Sequence, residues 1–193
     1  MTAVPDLVRA FFAEVAVGHV EIYNEFSLQH ELGIHLWRAL GHDHKVQFER
    51  PVTYFKLTGS FLKKEIDIAV FTPDRREKVA IELKFPRSGQ HPEQMFKACQ
   101  DIGFLEQVVA SGFDAGVFVM AADDDLFFDG PMRTGIYAHF RTGTCLTGTI
   151  TKPTGKKDEQ VTIGGRYELT WQEAGAGSAL RYLCVAIGAR GAV

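Results

Sequence analysis

Two short stretches carry the residue types that could do chemistry. In Glu65-Ile66-Asp67-Ile68-Ala69-Val70 the acidic side chains stand at Glu65 and Asp67, with Ile66, Ile68 and Val70 at the alternate positions. Further on, the run Lys78-Val79-Ala80-Ile81-Glu82-Leu83-Lys84-Phe85 sets Val79, Ile81, Leu83 and Phe85 against Glu82, fifteen positions beyond Asp67, and Lys84. Side chains two apart on a strand share a face, so pairing of the two strands would gather Asp67, Glu82 and Lys84. Hard divalent cations such as Mg²⁺ take oxygen ligands, usually one or two carboxylates with water and substrate phosphate. A neighbouring lysine can orient an attacking water or offset charge developing on phosphate oxygens. The set therefore points to metal-assisted chemistry at a phosphate. A solvated, salt-bridged strand surface is the competing reading, because cross-strand charge pairs contribute only ~0.2–1 kcal/mol and arise easily.

The surrounding elements must hold these residues. Thr72-Pro73-Asp74-Arg75-Arg76-Glu77 reads as a hairpin turn between the two strands. Before them, Leu7, Val8, Phe11, Phe12 and Val15 have helical spacing over residues 4–17. A second helix starts at Asn24 or Ser27, both suited to N-capping, and runs to Leu40, with Gly41 as its stop. Residues 45–55 alternate loosely and read as the first strand, with Pro51 marking an edge or a bulge. After the strand pair, a long helix runs from Pro92 or Glu93 to Ala110 with Met95, Cys99, Ile102, Leu105 and Val109 as its buried stripe. The apolar run over residues 114–120 then reads as a strand buried on both faces, reached by a crossover. From Ile136 the texture becomes short β-like segments over 136–140, 145–151, 161–171 and 180–187, with turn compositions at 152–157 and 174–177.

In this order the residues resemble the PD-(D/E)xK nuclease superfamily, in which an acidic residue ends one strand and a D/E-x-K triplet lies on the next. Asp67 matches the first acid and Glu82-Leu83-Lys84 the triplet, while Ile66 stands where the motif has proline. The resemblance covers about residues 24–110. It implies an α/β, restriction-endonuclease-like core of helix, three-stranded meander, long helix and crossover strand. The central sheet would be mixed, and the core, about 24–120 of a single domain, would be followed by a C-terminal antiparallel β extension over about 136–190. The implied activity is a Mg²⁺-dependent nuclease, with Mn²⁺ as substitute, that hydrolyses DNA phosphodiester bonds. Asp67 and Glu82 would bind the metal with help from the Leu83 carbonyl, and Lys84 would hold the attacking water. A glutamate on the helix before the sheet would complete the outer coordination, Glu31 as first choice and Glu25 as second. Both are equally readable as glutamates favoured by the helix dipole. Lys97 and Gln94 on the long helix, with Arg87 before it, are the residues carried over to substrate binding. Lys97 also has a plain reading as an i,i+4 surface pair with Asp101, worth ~0.2–0.5 kcal/mol. The alternative function is a catalytically inactive nucleic-acid-binding or protein-interaction member of the same fold.

Composition is that of an ordinary globular protein, and the net charge is −3. Residues 1–100 carry 13 basic and 13 acidic side chains, residues 101–193 carry 8 and 11, and no basic arm emerges. A nuclease of this charge must neutralise phosphate locally, with metal and groups such as Lys63, Lys64, Arg87 and Lys97. Cys99, Cys145 and Cys184 lack CxxC spacing, which argues against a disulfide framework or a zinc site. With no leader-like start and no long apolar run, the expectation is a cytoplasmic protein without a membrane partner. His42-Asp43-His44 and Asp123-Asp124-Asp125 read as solvated turns, and residues 88–92 as a loop that could lie over the site. The partner expected is DNA, branched or structured DNA included, with a homodimer left open.

Overall fold

The computed structural model describes residues 4–87, 89–155 and 158–188. Ser88 of the expected loop, and Lys156 and Lys157 of the expected turn, lie outside the described residues. Helices α1 (Val4–Ala16) and α2 (Glu25–Leu40) form where the apolar spacing predicts them. Of the two candidate caps for α2, Asn24 is the one used. Its side chain accepts from Ser27 N–H at 2.8 Å, and Ser27 Oγ accepts from Asn24 N–H at 3.0 Å. This reciprocal capping box satisfies two otherwise orphaned donors and fixes Glu25 in the first turn. Gly41, at φ 64°, closes the helix in a conformation that most side chains resist.

The strands are β1 (Lys45–Pro51), β2 (Glu65–Phe71), β3 (Lys78–Lys84), β4 (Ala115–Ala122), β5 (Leu146–Thr151), β6 (Gln160–Tyr167), β7 (Gln172–Glu173) and β8 (Arg181–Gly188). Six of them form one mixed sheet in the order β1-β2-β3-β4-β8-β7, while β5 and β6 form a separate two-stranded sheet. The architecture is α/β. β2 and β3 pair antiparallel across the expected turn, and β3 pairs parallel with β4 through the crossover helix α3 (His91–Ala110). On one face of the large sheet, Phe11, Phe12, Leu28 and Leu32 of α1 and α2 pack with Ile68, Ile81 and Leu83. On the other, α3 and the β5–β6 pair cover Ala69, Ala80, Phe118 and Met120. β3 is thus buried from Val79 to Leu83, and each large apolar side chain so enclosed is worth about 1.5–3 kcal/mol. Among the described residues, no helix is long and apolar enough to cross a membrane.

Three expectations are corrected and one is refined. Residues 136–140 are not a strand but the start of a short helix, α4 (Ile136–Arg141), because the buried pair is Ile136 and Phe140, four apart and on one helical face. β1 stops at Pro51, and Val52–Phe55 turn in a 3-10 helix that buries Val52 and Phe55, three apart. The C-terminal segment is antiparallel β as expected, and it also completes the large sheet. β8 pairs with β4 along its whole length, since a strand as apolar as β4 needs a neighbour on both edges. Finally, Ile66 was expected to share a face with Ile68 and Val70, but it packs with Val52, Phe55 and Leu57 in the opposite cluster.

α3 and β4 approach closely at Gly116. A Cβ there would stand 3.0 Å from Leu105 Cβ and 3.2 Å from Leu105 Cδ2. The glycine lets α3 lie close on the sheet, one turn beyond Asp101.

Candidate active site

The β2–β3 ladder runs from Phe71 opposite Lys78 to Ile68 opposite Ile81 and then stops. In continued register the next pair would be Asp67 and Glu82. There the side chains replace the ladder. Asp67 N–H donates to Glu82 Oε1 at 3.2 Å, and Leu83 N–H donates to Asp67 Oδ2 at 2.8 Å. The Asp67 carbonyl, also left without a strand partner, accepts from Gln29 Nε2 of α2 at 2.8 Å. Buried main-chain groups must find partners somewhere, and these three bonds let β2 part from β3 while β3 stays with β4 through Lys84. The parting opens a notch whose walls carry the acids.

Asp67 and Glu82 meet there and Lys84 is linked to them only through Asp101, but the solvated strand face that would make them surface charges is absent: the Glu82 side chain is 0 % exposed. Two groups complete the cluster that the motif did not supply. Lys63, in the segment entering β2, places Nζ 3.3 Å from Asp67 Oδ1, 3.3 Å from Asp101 Oδ1 and in direct contact with Glu82 Oε2. Asp101, from the middle of α3, is buried and reaches Lys84 Nζ with Oδ2 at 3.2 Å, without a well-aligned hydrogen bond to that oxygen. The expected surface pair of Lys97 with Asp101 is therefore corrected: Asp101 turns inward and Lys97 is exposed. A signal for Asp101 was present in the sequence. It stands three after Ala98 and four before Leu105, both fully buried, so an acid interrupts an apolar stripe. An acid at such a position needs a cation.

Of the two glutamates weighed on α2, Glu25 joins the site and Glu31 does not. Glu25 Oε1 lies 3.7 Å from Lys84 Nζ, and its Oε2 accepts from Phe85 N–H at 2.9 Å. Glu31 instead accepts through Oε1 from His30 Nδ1, 3.1 Å away. The first-turn position set by the Asn24 cap aims Glu25 at the end of β3, whereas Glu31 is almost two turns further along. Gln94 and Lys97 are not among the gathered groups; Lys97 lines a shallow hollow with Gln90, Pro92, Glu93 and Thr154. Arg87 pairs with Asp123 and lies 4.9 Å above the Phe85 ring. The Asp123–Asp125 run is partly engaged in this way, with Asp124 Oδ2 2.7 Å from His91 Nε2. Leu83 offers its N–H to Asp67, and its side chain belongs to the core on the α2 side.

Burial, and then the charges of Asp67 and Asp101, push Glu82 well above the ordinary carboxylate range, against the pull of Lys63. Burial raises Asp101 as well, with Lys84 and Lys63 opposing. For the two lysines burial alone would favour the neutral amine, but the surrounding carboxylates outweigh it and raise both pKa values. Lys84, facing Asp101 and Glu25, is held as an ammonium and cannot serve as a base near neutral pH.

As arranged, no group of three or more His, Cys, Asp or Glu side chains among the described residues could hold a metal ion. The three carboxylates of the site are engaged by a lysine instead. Oxygens of Asp67, Glu82 and Asp101 surround one point, and a positive charge, the Lys63 ammonium, already stands at it. A cavity of about 660 Å³ lies elsewhere, between α3 and β6. Its one acid, Glu106, is engaged by Gly164 N–H, Gly165 N–H and the Tyr167 hydroxyl, so it offers no convergent catalytic set. A smaller hollow of about 480 Å³ has Lys63 on its wall, with Pro51, Phe61, Lys64 and Glu65. No family model, curated protein or solved structure matches the chain.

Proposed function

We propose that this protein is a metal-dependent nuclease with a restriction-endonuclease-like core that hydrolyses DNA phosphodiester bonds. One relationship carries the reading: the β2–β3 ladder gives way at the position of Asp67 and Glu82, and Lys84 and Glu25 face the notch so formed. Two acids and a lysine at the end of a ladder are the residue types that metal-assisted chemistry at a phosphate uses.

Asp67 and Glu82 would hold Mg²⁺ or Mn²⁺, with the Leu83 carbonyl as a further oxygen. When bound, such an ion lowers the pKa of a coordinated water and offsets charge on the phosphate oxygens. Lys84 is a fixed donor: Asp101 and Glu25 hold its ammonium charged and restrict its reach, so that it orients the attacking water and stabilises developing negative charge. Glu25 positions Lys84 and, through Phe85 N–H, the end of β3. With a net charge of −3, attraction of DNA falls to groups near the notch and not to a basic surface.

The test is incubation of linear, supercoiled and branched DNA with Mg²⁺ and either wild type or Lys84→Ala. Metal-dependent cleavage lost by about 100-fold or more in the variant supports the reading, and equal cleavage by both proteins removes Lys84 from the mechanism. A second reading, a non-catalytic binding member of the same fold, is favoured by Lys63, which already neutralises the acids. It predicts DNA or protein binding with no turnover in any divalent metal.

A further inference from the structure

The large sheet ends on one side at β1, which has β2 along one edge and, among the described residues, no strand along the other. Which of its main-chain groups face outward follows from the phase of the ladders. Thr72 N–H donates to Glu77 O, so in the antiparallel pairing of β2 with β3 the bonded positions of β2 are 72, 70 and 68. Phe71 and Ala69 therefore bond in the other direction, to Lys45 and Gln47 of β1. That leaves the N–H and C=O groups of Val46 and Phe48 directed away from the sheet, where they are a template for another strand.

Apolar surface borders this edge. Phe48 is 41 % exposed, and its ring lies so close on Gly33 of α2 that a Cβ there would collide with it. A glycine inside a helix costs about 1 kcal/mol relative to alanine, and here it seats an aromatic ring at the margin of the sheet. Phe26 and Trp37, seven before and four after Gly33 on the same helical face, are 80 % and 54 % exposed. Exposed apolar patches of this kind mark interaction sites.

The occupant follows from the sequence of β1. Read in opposite directions about Gln47, Lys45-Val46-Gln47-Phe48-Glu49 complements itself: Val46 comes level with Phe48, and Lys45 with Glu49. We propose that a second copy of this chain pairs antiparallel along β1, about a two-fold axis at Gln47, to make one sheet across two subunits. Val46 and Phe48 of one copy bond to Phe48 and Val46 of the second copy, and their side chains, which lie on the α2 side of β1, pack across the seam. The two α2 helices then flank the seam symmetrically, with Phe48 and Trp37 covering it. Glu49, at φ 49°, and Pro51 end the pairing and fix this register. The proposal does not depend on the nuclease reading.

The test is made on the full chain. Sedimentation velocity over a dilution series is expected to show wild type as a reversible dimer. In that dimer Gln47 meets Gln47 of the second copy as a non-bonded pair, with Cα atoms about 4.5 Å apart, which is within disulfide range. Gln47→Cys is therefore expected to cross-link between chains under mild oxidation, and Lys45→Cys, whose thiol would face Glu49 of the second copy, is not. Wild type, with its own free cysteines, is the blank. If a variant misfolds, amide exchange of wild type decides: protection at Val46 and Phe48 is expected to rise with concentration as their N–H groups become bonded. A monomer at every concentration overturns the proposal. So does a dimer in which Gln47→Cys stays uncross-linked, or one whose Val46 and Phe48 amides exchange as fast as in the monomer.

Discussion

Lys84 Nζ stands 3.2 Å from Asp101 Oδ2, a contact that ties the last residue of β3 to the middle of α3. Asp101→Asn takes away the nearest counter-charge of a largely buried ammonium. The expected cost is about 1–3 kcal/mol of folding stability, read from urea denaturation at neutral pH. An unchanged midpoint would mean that the contact contributes nothing.

Glu25 and Glu31 lie on the same helix but not at the same site. Glu25→Gln is expected to slow DNA cleavage by about tenfold or more, as altered positioning groups around a metal site do, whereas Glu31→Gln leaves the rate within about twofold. Single-turnover cleavage assays compare them. The reverse order would return the role to Glu31.

Much of this arrangement could be read from the chain itself. The turn over residues 72–77 fixes the register that sets Asp67 level with Glu82, so that juxtaposition follows from local pattern, whereas the alternation fails at Ile66, which packs on the opposite face from Ile68. The Asn24 cap places Glu25, though both glutamates fit the helix equally well until the direction of β3 is known. The sequence does not bring Lys63 and Asp101 together, because their meeting, across 38 positions, depends on how the crossover helix lies on the sheet. Residues 136–140 were misread since a five-residue segment rich in Ile, Tyr and Phe suits either a strand or one turn of helix. The antiparallel character of the C-terminal β segment is legible, but a sequence that shows β4 to be buried does not show that β8 covers its free edge.

The buried carboxyls give a pH dependence of definite sign. Burial first, and neighbouring acids second, raise Glu82 above its ordinary 4.5. A carboxyl with a higher pKa folded than unfolded binds its proton more tightly in the folded protein. Its stabilising effect is complete below pH 4.5 and is lost as pH rises through the folded value. The lysines stay charged across this window. The stability of wild type relative to Glu82→Gln is therefore expected to fall from pH 4.5 toward neutrality, by at most about 1.4 kcal/mol per pH unit for each proton involved. Denaturant titrations in a pH series check this, and a difference that rises with pH contradicts it.

Gly116→Ala inserts a methyl group 3.0 Å from Leu105 Cβ, with Ile187 Cβ at 3.4 Å on the other side. Neither neighbour is the free end of a flexible side chain, so α3 must move off β4. The expected loss is about 1–3 kcal/mol, seen as a lower thermal midpoint. Asp101 rides on the same helix, and cleavage should weaken along with stability.

The central claim is that the notch between β2 and β3 binds a divalent ion on Asp67 and Glu82. Crystals soaked in Mn²⁺ and measured for anomalous scattering address it most directly. The account predicts a single strong peak about 2.1 Å from carboxylate oxygens of both residues. An empty notch with Lys63 still bridging Asp67, Glu82 and Asp101 at saturating Mn²⁺ would contradict it.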